Sequence, residues 1–341
     1  MRIRLHHLTV GGALLCAAAA SLPAQTYHVT KSFTLGGDGG WDYVALDTAG
    51  HRLFVARQTR VMVIDPATGK LLAEIPGLDR AHGVAFSYAT GKGFATSGGD
   101  SSVVVFDLKT LQVLGRTTAA VDADAVLFDP ATKHVFTFNG DAGSSSVIDA
   151  ASGQRIGTID LGGKPEFGVT AGNGRLYVNI EDSSAVAEID ATAMKVVRHW
   201  KLAPCESPTG LAIDRAHGIL FSACRNGVMA ISDAKAGRLI TTLPIGQGVD
   251  GARFDDQRQL AFASNGDGTI TVIHEDAPDK FTVVATVQTK RGARTMELDQ
   301  QTHRLFTVSA DFGPPPAPTA DRPRPRPPVL PGTFVLLELD P

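Results

Sequence analysis

Long apolar runs are missing from this 341-residue sequence beyond its first twenty residues, so no later stretch could cross a bilayer as a helix. Helical periodicity is missing from every long segment, which leaves an all-β chain. A basic excess is missing too. Lys and Arg number 32 against 35 Asp and Glu, and no basic stripe stands out, which argues against nucleic acid as the main partner. The common catalytic signatures are absent: no His-Glu-x-x-His helix, no Gly-x-Ser-x-Gly elbow, no phosphate-binding loop and no haem-attachment motif. The stretch Gly36-Gly37-Asp38-Gly39-Gly40 opens no helix and reads as a turn. Asn265-Gly266-Asp267-Gly268 lacks the later acidic positions of a calcium loop and reads as a hairpin turn.

Residues 1–24 have the layout of a secretory signal peptide. Arg2 and Arg4 supply the positive start, residues 8–20 the apolar stretch, and Leu22-Pro23-Ala24 the cleavage site. Cys16 follows two leucines, whereas a lipoprotein site needs a small residue there, so cleavage after Ala24 is expected. The mature chain, 25–341, is expected to be soluble, periplasmic or secreted, and monomeric. Removing Arg2 and Arg4 leaves 30 basic residues against 35 acidic ones, a net charge of −5. Removing Cys16 leaves Cys205 and Cys224, and an even pair in an exported protein predicts a disulfide between them.

A period of about 40 residues then sets the fold. One unit reads Asp42-Tyr43-Val44-Ala45-Leu46-Asp47, a turn, Arg52-Leu53-Phe54-Val55-Ala56, a second turn, Val61-Met62-Val63-Ile64-Asp65, a third turn, and a fourth run over 71–75. These are four short strand-forming runs separated by turn residues. Phe54 aligns with Phe94, Phe136, Tyr177, Phe221, Phe262 and Phe306. Seven anchors predict a seven-bladed β-propeller of four-stranded antiparallel blades in one domain, 25–341. The strand-ending Asp65 recurs as Asp107, Asp149, Asp190, Asp233 and Asp340, with His274 in one repeat. These aspartates read as turn residues whose carboxylates accept backbone N–H groups. The last unit lacks a fourth strand, and residues 27–35 are expected to supply it and close the ring.

These repeats resemble the YVTN-type repeat of YncE-like propellers, in phrases such as Arg60-Val61-Met62-Val63-Ile64-Asp65 and Thr68-Gly69-Lys70. More local phrases, including Gly39-Gly40-Trp41-Asp42, Lys164-Pro165-Glu166-Phe167 and Cys224-Arg225-Asn226-Gly227, resemble an exported bacterial branch of that family without a settled activity. The resemblance covers essentially the whole mature chain. One member type is associated with single-stranded DNA, but no basic groove is present here to carry that over.

The register also groups residues that no motif joins. The residues opening the innermost strands are Asp42, His82, Asp124, Glu166, Thr209, Asp250 and Arg294. They should ring one mouth of the central channel. Glu206 lies on the same side, and the loops between second and third strands bring Arg57, Ser97, Asn139, Arg225 and Asn265, with Asn179 and Glu181 close by. Carboxylates, a histidine and arginines in one funnel suit a hard cation, a sugar or an organic acid. A divalent cation is the one candidate cofactor, with Asp124 and Glu166 as its candidate ligands. The plainer reading is that polar residues gather wherever strands emerge into water. A proline-rich insertion over 313–332, carrying Arg322, Arg324 and Arg326, should emerge on this face as a spacer or as a lid.

The first functional reading is a binding or interaction module that takes a small molecule or a protein partner at the acidic mouth. The second is a lactonase-like hydrolase or lyase using a metal with a mouth carboxylate or His82. The third is a single-stranded nucleic-acid binder.

Overall fold

The computed structural model describes residues 27–319 and 325–341. The expected signal peptide, and Arg322 and Arg324 of the insertion, lie outside the described residues.

The described chain is a β-propeller built of antiparallel strands. Five sheets have four strands and one has six. The expected count of seven blades is therefore corrected to six. The cause is local. The strands β1 (His28–Thr34), β2 (Val44–Asp47), β3 (Arg52–Ile64) and β4 (Leu71–Ser87) come first. The last two are long because each runs through a bend and carries two of the expected runs. β3 bends at Gln58, whose φ is 46°, and β4 bends at Gly77 and Arg80, with φ of 83° and 52°. Gln58 pairs with Ala81 across a register jump from the Arg60–Pro76 pair, so one ladder links the two bends and the first two repeats. Both repeats share the six-stranded blade, which Lys92–Ser97, Ser102–Asp107 and Val113–Thr118 complete.

Strand alternation explains how the sheets stack. Successive side chains point to opposite faces, and both faces of these strands are covered. Leu53 and Val55 of β3 pack with Phe306, Val308 and Leu336, whereas Phe54 and Ala56 pack with Val104 and Phe106. The aromatic anchors Phe54, Phe94, Phe136, Phe221 and Phe262 are fully buried between sheets. Burying such a side chain is worth about 1.5–3 kcal/mol, so the repeated anchor is the main cohesive element of the ring.

The ring closes through the first described strand. β1 pairs with Val335–Asp340, from His28 opposite Asp340 to Thr34 opposite Val335. Lys31 adds an ion pair to Glu338 at 3.0 Å. Tyr27 packs edge-on to Phe262 of the preceding blade and donates a hydrogen bond to the His303 carbonyl. The proline-rich insertion leaves and re-enters through a short antiparallel neck. Phe312 bridges Val329, and the Gly313 amide donates to the Pro328 carbonyl. Phe312 also lies 6.0 Å from Trp41, which anchors the neck beside Asp42.

Candidate functional site

The inner strands bring Asp42, His82 and Asp124 together at one end of the channel. Asp42 precedes β2, His82 lies in β4, and Asp124 is near the start of Ala123–Asp129. His82 Nδ1 is 2.6 Å from Asp42 Oδ2 and 3.3 Å from Asp124 Oδ1. The three ligand atoms lie within 4.8 Å of one another. Gly98 makes this possible, since a Cβ there would come within 2.9 Å of the imidazole. Asp124 Oδ1 is buried and receives no hydrogen bond. Burial pushes the Asp124 carboxyl up to about 7, with Asp42 and Asp250 adding repulsion and His82 opposing it. Burial acts to lower the His82 imidazole, but its hydrogen bond to Asp42 and the charges of Asp124 and Asp42 outweigh that and raise it.

Glu166 meets Glu181 rather than Asp124. Burial, followed by the hydrogen bond with Glu181, pushes Glu166 up to about 9. Glu181 moves the other way. Burial would raise it, but its hydrogen bonds to Glu166 and Lys164 and the charge of Arg225 hold it below the usual range. Two carboxyls this close favour holding one proton between them. Lys164 Nζ and Arg225 Nη1 stand 3.0 and 2.8 Å from the Glu181 oxygens. On the other side Arg294 Nε lies 2.7 Å from Asp250 and its Nη2 lies 3.8 Å from Asp42. The chain Asp250, Arg294, Asp42, His82, Asp124 is therefore continuous around much of the mouth.

The mouth has a floor. Tyr43 and Phe167 point into the channel with ring centroids 5.1 Å apart, and Arg253 lies over the Phe167 ring while pairing with Glu297. Burial pushes the Tyr43 hydroxyl well up, with further repulsion from Asp124, Asp250, Asp42 and Glu166. All four acids therefore lie near enough to act on this hydroxyl. Below the floor a cavity of about 420 Å³ continues towards the opposite face, between Val84, Phe86, Phe128 and Arg215. The acids thus line a cup rather than an open tube, consistent with Asp42, Asp124 and Asp250 being half-buried and Glu166 buried.

Other residues assigned to the mouth from the sequence serve the framework. Arg57 is completely buried, stacks on Phe334 at 3.7 Å and donates to the carbonyls of Gly36, Asp38 and Gly39. Asn139 is buried and bonds Thr137, Ser144 and Ser146, and Asn265 bonds Thr269 and Thr271. Asn179 donates to the carbonyls of Thr209 and Gly210, and Thr209 to those of Ala223 and Val249. Each satisfies backbone or hydroxyl groups where strands turn. Glu206 is exposed beside Cys205, which is bonded to Cys224 with Cα atoms 5.6 Å apart.

The sequence carries a signal for the floor that no motif marks. One residue after each inner-strand opener the chain has Tyr43, Gly83, Ala125, Phe167, Gly210, Gly251 and Thr295. Two large rings among small residues, three repeats apart, are placed to meet across a ring.

No protein-family model matches the sequence. The chain is 28% identical over 148 residues to the uncharacterized protein YncE of Salmonella typhimurium, and 27% identical over 148 residues to that of Salmonella typhi. Each match covers 41% of this chain and 42% of the relative, so the chain spans well under half the length of the curated relatives it matches. Among solved structures, hydrazine synthase of Kuenenia stuttgartiensis superposes with a TM-score of 0.70 at 15% identity, covering 81% of this chain and 94% of that one. That likeness concerns the fold alone. Together the sequence and fold likenesses support a YncE-like propeller family for this chain.

Proposed function

We propose that this protein is an exported binding module whose acidic cup takes a divalent cation, or a ligand held through one. The observation that carries this reading is the convergence of Asp42, His82 and Asp124, with a buried Asp124 oxygen that no donor satisfies. An unpaired buried carboxylate oxygen is costly, and a cation is the partner that two carboxylates and an imidazole suit together. Glu166 and Glu181 stand beside the triad as further acceptors, while Arg225 and Arg294 limit its net charge and can engage an anionic part of the ligand. The N-terminal apolar stretch and the Cys205–Cys224 bond support an oxidising, extracytoplasmic setting. No helix among the described residues is long and apolar enough to cross a membrane.

Thermal scans with calcium, magnesium, manganese and zinc test the reading. A cation that binds the folded state raises Tm. His82→Ala and Asp124→Asn should each remove the rise at this site. If no cation shifts the wild-type midpoint, the cation-binding function is rejected.

A further inference from the structure

A second group of ligand atoms lies at the opposite end of the inner strands. Asp214 ends Pro208–Asp214, and His217 sits in the turn that follows it. Glu275 comes from the neighbouring blade, one residue after His274 in Thr269–Ala277. His217 Nδ1 is 2.5 Å from Asp214 Oδ2 and 2.9 Å from Glu275 Oε1. All three ligand atoms lie within 4.8 Å of one another.

The repeat register shows that Glu275 is out of place for a structural residue. In four other repeats the same position is Leu108, Ala150, Ala191 and Ala234, all buried. The backbone is equivalent in each case. The amides of Leu108, Ala150, Ala191, Ala234 and Glu275 donate to the carbonyls of Gly91, Lys133, Gly174, Gly218 and Gln259. A slot that is apolar in four repeats therefore holds a carboxylate in this one. That carboxylate is only 4% exposed, and neither of its oxygens receives a hydrogen bond. The single N–H that Nδ1 can carry is directed to Asp214. That N–H serves one of the two carboxylates, whereas one cation can bind both.

His217 also departs from its equivalents. Thr132 and Thr302 occupy its place in other turns and donate to Asp129 and Asp299 through a short hydroxyl. The longer imidazole reaches across the seam to Glu275, and its exposed side leaves a path for an ion from solvent.

We infer that Asp214, His217 and Glu275 form a separate site for a divalent transition-metal ion such as zinc, in the seam between two blades on the face opposite the acidic cup. Two carboxylate oxygens and one imidazole nitrogen are a donor set that zinc accepts, with a fourth position left for water. Bonds of about 2.0–2.1 Å in a tetrahedron separate ligand atoms by about 3.3 Å. Nδ1 must then draw back slightly from Asp214, which its exposed turn permits. The ion would tie the two blades together at this rim.

The test uses the full mature protein with the cup silenced by His82→Ala and Asp124→Asn. Zinc uptake is read by calorimetry and by metal analysis after dialysis, and cobalt by its visible absorption. One ion per chain is expected. At zinc a hundredfold above Kd, the folded-to-unfolded ratio should rise about 100-fold. Adding Glu275→Ala installs the residue found in three other repeats, so the apo fold should persist, and both uptake and stabilisation should vanish. His217→Ala should do the same. Failure of the cup-silenced protein to bind zinc, or binding unchanged by Glu275→Ala, overturns the inference. Should the silenced protein not fold, Glu275→Ala alone must lower zinc stoichiometry by one, and an unchanged stoichiometry overturns it. Neither result bears on the cup, whose own variants report on it separately.

Discussion

Tyr43 and Phe167 close the channel beneath the acidic cup, their ring centroids 5.1 Å apart although they arise from well-separated repeats. The contact separates the carboxylates above from the cavity below and so denies them water from beneath. Tyr43→Ala should cost about 3 kcal/mol in denaturant unfolding, the usual range for a large aromatic removed from a core. It should also let water into the cup, so that the raised carboxyls of Asp124 and Glu166 fall towards ordinary values. Carboxyl titration by NMR checks this. Unchanged titration in the variant would mean that the floor does not control the cup.

Glu166 gives stability a definite pH dependence. Its carboxyl, raised to about 9, holds a proton in the folded state that the unfolded chain releases near its ordinary value of 4.5. The stabilisation is fully present below that ordinary value and is lost as pH rises towards and through the folded one. The contribution of this single group falls by up to about 1.4 kcal/mol per pH unit. Glu166→Gln keeps a donor for Glu181 without needing a proton. The variant should gain on the wild type steadily from pH 5 to pH 9 in denaturant midpoints. Parallel pH profiles for the two proteins would refute the shared proton.

Arg57 and Arg225 should behave oppositely. Arg57 is buried against Phe334 and three carbonyls, so Arg57→Ala leaves those acceptors unpaired and should cost about 3 kcal/mol. Arg225 is half exposed and pairs with Glu181, and Arg225→Ala should cost less than about 1 kcal/mol. Only the Arg225 change should alter cation binding at the cup, because it removes a positive charge beside Glu166 and Glu181. Calorimetric titration of both variants decides the matter.

Closure by β1 should dominate global stability. Without residues 27–35, the strand Val335–Asp340 presents an unpaired edge and the Tyr27 contact with Phe262 is lost. The midpoint should fall by about 10 °C for a chain of this size, and aggregation should increase. A melt that does not move would show that the ring is held closed without this strand.

The sequence alone determined the strand repeat, the buried aromatic anchors and the pairing of β1 with the last strand, because these follow from alternation and spacing along the chain. It also placed Asp42, His82, Asp124, Glu166, Asp250 and Arg294 at one level, since equivalent positions in a repeat recur at equivalent heights. The blade count was decided only in three dimensions. Gln58 pairing with Ala81 across two bends merges two repeats into one sheet, and such a contact has no periodic signature. The grouping within the cup was likewise tertiary. Register states that two residues share a level but not which carboxylate its side chain reaches. Glu166 therefore pairs with Glu181 from the loop beside it, and Asp124 with His82 from the neighbouring strand. Arg57, expected in a loop at the mouth, lies within β3 with its long side chain turned inward. A guanidinium gains more from three carbonyls and an aromatic face than from an exposed rim. Glu275 shows the same limit. Its repeat position marked it as unusual, but only the folded seam between blades brought it to His217 and Asp214.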